Sequence, residues 1–96
     1  ALDSLAAQDL SSALKGPELA VGALVALPAA LRRRVVRGWL LGGGATGLTD
    51  GHIRAVDALV IAWRGQGGVA VGWDVPGTRL FAERRGDVLT LRSEPV

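Results

Sequence analysis

Four arginines, Arg32, Arg33, Arg34 and Arg37, stand in one short segment, Leu27-Pro28-Ala29-Ala30-Leu31-Arg32-Arg33-Arg34-Val35-Val36-Arg37-Gly38-Trp39-Leu40-Leu41. A guanidinium offers a planar fork of donors that suits phosphate groups and base edges. At about 100° per residue, Leu31, Val35, Val36, Trp39 and Leu40 share one broad apolar arc, and Arg33, Arg34 and Arg37 fall opposite it. Such a face either follows a phosphate backbone by charge alone or is a solvated helix face. Arg32 falls inside the apolar arc, beside Val36 and Trp39. An unpaired buried charge is costly, so Arg32 is expected to pair with Asp50 or Asp57, its stem packed among apolar neighbours.

The remaining motifs carry little chemistry. Gly42-Gly43-Gly44-Ala45-Thr46-Gly47 spells G-x-G-x-x-G. A dinucleotide loop needs a strand before it and a helix opening from it. Here a helix precedes it, so the glycines end that helix and form a connection. His52 is the only histidine and cysteine is absent, which excludes a histidine-rich or thiolate metal site and a disulfide framework. His52 falls in a first helical turn and reads as a cap or an edge contact. Asp50 and Asp57 share a helix face roughly 10 Å apart, too far to share a proton. Trp39 and Trp63 lie on apolar stripes and read as core. Trp73, beside a turn, is the better exposed aromatic for stacking on a base. No nucleophile elbow or P-loop is present.

Charge is concentrated rather than abundant. The net charge is +2, and ten of the eleven basic residues are arginine. Residues 31–64 carry Arg32, Arg33, Arg34, Arg37, Arg54 and Arg64 against Asp50 and Asp57, whereas residues 1–30 are net acidic and 65–96 balanced. The most apolar run, Leu19 to Leu27, stops at Pro28, well short of the roughly 20 residues a membrane span needs, and reads as a buried helix. The chain begins at Ala1 and contains no methionine. It reads as a processed protein or a piece of a longer one, the second favoured because no signal-peptide pattern precedes it, and the absence of cysteine fits a cytoplasmic protein.

The elements that must position these residues follow from punctuation and period. Helices are expected from Asp3 to Lys15, with Leu2, Leu5, Leu10 and Leu14 as a stripe, from Pro17 to Leu27, from Pro28 to the glycine run, with Pro28 either separating two helices or kinking one, and from the N-cap Thr49. The fourth carries Ile53, Val56, Leu59, Val60 and Trp63 at helical spacing. After Gly65-Gln66-Gly67-Gly68 the period changes. Val69, Val71 and Trp73 alternate, Pro76-Gly77 turns, Thr78 to Arg84 extends, Arg85-Gly86-Asp87 turns, and Val88 to Leu91 extends again. The expected fold class is α+β, a helical N-terminal two-thirds followed by a small antiparallel three-stranded meander. As one domain of 96 residues, it divides into a helical lead-in (1–26), a helical part (27–64) and the meander (65–96).

An ordered set of features resembles a known family. It comprises Leu31-Arg32, Val35-Val36-Arg37-Gly38-Trp39-Leu40, a loop, Leu48-Thr49 with His52-Ile53, the Gly67-Gly68 and Pro76-Gly77 turns, and the closing Arg84-Arg85-Gly86-Asp87-Val88-Leu89-Thr90-Leu91. From Leu27 to Val96 the chain resembles the C-terminal part of tRNA(Ile)-lysidine synthetases, also known as MesJ-type cell-cycle proteins. Its Arg-, Gly- and Ala-rich style resembles actinobacterial members. Arg32 and Arg37 match basic positions of the family pattern. Arg33 and Arg34 are not assigned to it, and Gly38 stands where many relatives carry a further basic residue.

The resemblance implies a parent ligase with an N-terminal ATP-pyrophosphatase domain, absent here. That parent uses ATP and Mg to join lysine to the wobble cytidine of a CAU-anticodon isoleucine tRNA. The S-G-G-x-D-S loop of the catalytic domain is not in this sequence, so no cofactor and no catalysis are expected of the chain alone. Its implied role is to hold isoleucine tRNA. The candidate tRNA contacts are Arg33, Arg34, Arg37, Arg54 and Arg64. The competing reading is a protein-interaction or dimerisation module, a homodimer included.

Overall fold

The arginine-rich segment forms a helix for the reason its pattern gives, and the rest of the fold is built around its apolar side. A computed structural model describes residues 2–96, with side chains from Leu5 onward. The elements are α1 (Leu2–Ala13), β1 (Leu14–Lys15), β2 (Glu18–Ala20), α2 (Val21–Val25), α3 (Ala29–Gly42), β3 (Ala45–Thr46), α4 (Asp50–Ile61), β4 (Val69–Trp73), β5 (Thr78–Arg85) and β6 (Val88–Pro95).

Pro28 is the N-cap of α3, with an extended backbone at ψ 149°, so it separates α2 from α3 rather than kinking one helix. Within α3, Arg32, Val35, Val36, Trp39 and Leu40 are buried, which is the arc expected from the spacing. Thr49 caps α4 in a reciprocal box. Its hydroxyl accepts from the His52 N–H at 3.1 Å, and His52 Nδ1 accepts from the Thr49 N–H at 3.1 Å. His52 is thus a capping residue, and two of the N-terminal donors that a helix leaves open are satisfied.

The meander expected after residue 65 is present, but it is half of the sheet. The strands form one antiparallel six-stranded sheet in the order β1-β2-β6-β5-β4-β3, which corrects the three-stranded expectation. The expected first two helices are also shortened. Gly16-Pro17 is the turn of a hairpin that pairs Leu14 with Leu19 and Lys15 with Glu18. β2 then pairs with β6, Leu19 against Leu89. Leu19 therefore sits in a strand, not in a buried helix. Its side chain is in the core all the same.

Alternation along the strands decides which face is covered. Val71, Leu80, Ala82 and Leu89 are buried, facing Leu24, Val35, Val36, Leu40, Val56 and Leu59 from the helices. Each such leucine or valine side chain contributes about 1.5–3 kcal/mol when fully buried. α1 joins this core through Ala6, Leu10 and Ala13. Leu5 and Leu14 of the expected stripe are exposed, and Leu2 lies outside the described side chains. Trp39 ties the layers together, its indole N–H donating to the Pro17 carbonyl at 2.9 Å.

The glycine run ends α3 and starts β3. The Gly43 N–H returns to the carbonyls of Trp39 and Leu40, and Gly44 takes φ +100°, a backbone that L side chains rarely adopt. β3 then pairs with β4, Ala45 against Trp73 and Thr46 against Gly72. This is a helix-to-strand connection, the reverse of the order a dinucleotide loop needs.

Candidate functional site

Arg32 and Arg33 near the start of α3 reach Asp57 late in α4, whereas Arg37 shares a groove with Thr49 and Asp50 at the start of α4. The two helices therefore run antiparallel, with a groove of about 360 Å³ between them. Arg33, Arg34, Arg37, Leu48, Thr49, Asp50 and Ile53 line it.

The floor of this helix pair, beside the groove, is a buried ion pair. Arg32 Nε donates to Asp57 Oδ1 at 2.5 Å and Nη2 donates to Oδ2 at 3.0 Å. Nη1 donates to the Leu27 carbonyl at 3.2 Å. Asp57 is 1% exposed and Arg32 6%. Of the two partners the sequence offered, Asp57 is the one used. The hydrogen bonds that Arg32 donates to Asp57 raise the Arg32 pKa above its ordinary value, against the effect of burial. Burial pushes the Asp57 carboxyl up, but hydrogen bonds from Arg32 and Arg33, with their charges, outweigh it and hold that carboxyl below the usual range. Among the described residues, no buried side-chain nitrogen or oxygen lacks a partner.

The candidate residues occupy different positions around this floor. Arg33 donates from Nε to Asp57 Oδ2 at 3.2 Å, yet keeps two-fifths of its side chain exposed. Arg34 and Arg37 are exposed on the groove. Arg54 pairs with Asp50 at 2.8 Å, one helical turn away, both side chains well solvated. Such a pair is worth little, so Arg54 is available to another anion. Arg64 is exposed beyond the end of α4. The structure thus gathers Arg33, Arg34 and Arg37, adds Arg54 through Asp50, and sets Arg64 apart, at the end of α4 away from the groove mouth.

One functional-looking residue escapes the charge pattern. Arg84 donates from Nε to the Gly86 carbonyl at 2.7 Å and from Nη1 to the Leu59 and Val60 carbonyls at 3.1 and 3.3 Å. Its guanidinium lies 4.5 Å from the Trp63 ring centroid. Leu80, Ala82 and Arg84 alternate on the same side of β5, which is the sequence signal that places Arg84 against the helices. Trp63 is not the core residue its stripe predicted. α4 stops at Ile61, and Trp63 is 36% exposed. Trp73, in turn, is half-buried and its indole N–H donates to the Thr78 hydroxyl at 2.7 Å, so it is not the open stacking surface expected.

Among the described residues, no group of three or more His, Cys, Asp or Glu is placed to hold a metal, and no helix is long and apolar enough to cross a membrane. The site is a cationic groove on a fixed helix pair, an arrangement that binds anions. An α+β domain with a cationic groove between two packed helices is the class this fold and site define. The chain matches the family described as the TilS substrate binding domain over residues 19–86, and it belongs to that family. It is 63% identical to a tRNA(Ile)-lysidine synthase of Mycobacterium tuberculosis, over 99% of this chain and 31% of that protein. The corresponding enzyme of Mycobacterium leprae is 61% identical over 99% of this chain and 29% of its own length. That of Nocardia farcinica is 56% identical over 97% and 29%. The chain spans about three-tenths of the length of these relatives.

Proposed function

We propose that the chain is the tRNA-holding part of a tRNA(Ile)-lysidine synthase. The observation that carries this reading is the arginine-lined groove between α3 and α4, kept in shape by the Arg32–Asp57 pair. Arginines on a fixed helix face suit a line of phosphates. The family and the names of the relatives supply the kind of polyanion.

In this reading the parent protein is a cytoplasmic ligase that joins lysine to the wobble cytidine of the CAU-anticodon isoleucine tRNA. ATP, Mg and lysine belong to a separate N-terminal domain. The described residues of this chain do not fit them. They include no metal-ligand cluster, and the G-x-G-x-x-G loop leads from a helix into β3. No chemical step is therefore assigned to the chain. Its work is positional, since a tethered module raises the local concentration of its ligand at the neighbouring site.

The test is a titration with isoleucine tRNA transcript at low and moderate salt, with elongator methionine tRNA as control. Binding that weakens steeply with salt supports the reading, and preference for the isoleucine tRNA adds specificity. A folded chain that binds neither RNA at low salt overturns it. A second reading, a protein-interaction or homodimer module, is favoured by one feature, an apolar hollow of about 450 Å³ lined largely by Leu10, Leu14, Pro17, Trp39 and Leu91. That reading predicts concentration-dependent association without RNA.

A further inference from the structure

Trp63 is a large aromatic residue left partly in solvent, next to a cation that the fold immobilises. The Arg84 guanidinium sits 4.5 Å from the indole centroid. It cannot swing away cheaply, because three backbone carbonyls hold it, those of Leu59, Val60 and Gly86. Arg84 also answers the negative end of α4, where the last carbonyls and the helix dipole would repel a phosphate. The segment beyond is pinned as well, the Arg64 N–H donating to Gln66 Oε1 at 2.6 Å. Arg64 itself is exposed. A ring fixed on one side by a guanidinium, with 36% of the residue in solvent and an exposed arginine adjacent, has the chemistry of a stacking surface for a base.

We propose that Trp63, backed by Arg84, stacks on one unpaired nucleobase of the RNA whose phosphates lie along the α3–α4 groove. This rests on the RNA reading above and adds a contact that does not depend on charge. α4 is about 18 Å long at 1.5 Å per residue, so the ring and the groove mouth at Asp50 would engage points several nucleotides apart.

The experiment compares the wild-type chain with Trp63→Leu and Trp63→Phe. The probes are an isoleucine tRNA transcript and a blunt RNA duplex without unpaired bases. Stacking predicts that Trp63→Leu weakens tRNA binding about tenfold, leaves the salt dependence unchanged, leaves the duplex affinity unchanged, and that Trp63→Phe restores most of the loss. It also predicts a fall in tryptophan fluorescence on adding single-stranded oligouridylate that Trp63→Leu lacks. Wild-type affinity of folded Trp63→Leu for tRNA overturns the proposal and leaves the groove reading intact. Equal losses on tRNA and duplex overturn it too. A wild-type chain that binds no RNA removes both readings together.

Discussion

Arg32 and Asp57 meet in a two-pronged ion pair, Nε to Oδ1 at 2.5 Å and Nη2 to Oδ2 at 3.0 Å, on the same helix pair as the groove that Arg33, Arg34 and Arg37 line. Twenty-five positions apart, they join the later half of α4 to the start of α3. Removing Asp57 strands the Arg32 charge in the core, which costs about 3–5 kcal/mol, whereas Asp57 keeps Arg33 when Arg32 is removed. Asp57→Ala is expected to lower the unfolding free energy measured in urea by that margin, and Arg32→Ala by less. A double replacement by apolar residues of similar volume is expected to recover most of it. A single variant that loses under about 1 kcal/mol would show that the pair is not desolvated as described.

Acid should find the same pair. The Asp57 carboxyl is held below its ordinary range by Arg32 and Arg33 despite burial. The unfolded chain therefore takes up this proton at a higher pH than the folded one, and stability rises with pH where the two differ. The contribution is complete above the ordinary aspartate value of about 3.9 and is lost as pH falls through the lower folded-state value. Urea midpoints measured from pH 6 down to 2 are expected to fall more steeply for the wild type than for Asp57→Asn. Parallel curves would contradict the coupling.

Arg37 is the cleaner probe of the groove. Replacing Arg33 also takes a donor from Asp57, so its loss mixes stability with affinity. Arg37→Ala is expected to leave the thermal midpoint within about 2 °C and to reduce the slope of log affinity against log salt by about 1 for tRNA. An unchanged slope would remove Arg37 from the interface.

The start of α4 lines the groove, and its cap holds it there. Thr49→Ala removes the hydroxyl that accepts from His52 and is expected to cost about 1 kcal/mol, or a fall of roughly 4–8 °C in thermal midpoint. Thr49→Ser should restore it, and calorimetry on the three proteins distinguishes the cases.

Gly72 admits β3 to the sheet. A Cβ there would lie 1.9 Å from the Thr46 carbonyl oxygen, an overlap with backbone rather than with a flexible side chain. Gly72→Ala is expected to release Ala45–Thr46 from β4 while the β5–β6 hairpin stays protected in hydrogen exchange. Retained protection at β3 would show that the strand can shift to accept a methyl group.

The elements with a strong internal period were legible from sequence. Val35, Val36, Trp39 and Leu40 announced α3, Thr49 announced α4, and the Pro76-Gly77 and Gly86 turns delimited β4 to β6. The short strands were not. Leu14-Lys15 and Glu18-Leu19-Ala20 are too brief to alternate, and each residue tolerates a helix. Their strand conformation comes from pairing with each other and with β6, which no local window contains. Ala45–Thr46 was hidden in the same way inside a glycine-rich connection. At the site, the basic cluster was visible from charge and spacing. Trp63 was misplaced because α4 ends two residues before it, at Ile61, and a helical period carried past that end assigns it to the core.

The pairing of β2 with β6 also sets the order in which the chain can be completed. Leu19 and Leu89 lie about 70 residues apart along the chain, so their contact closes a long loop and belongs among the late, slow events of folding. During synthesis the amino-terminal hairpin has no edge to join until the final strand leaves the ribosome. Until then the apolar side of Leu19 and Leu24 has no sheet to cover it. A nascent chain arrested before residue 88 should therefore be prey to proteases and chaperones, whatever the soundness of its helices.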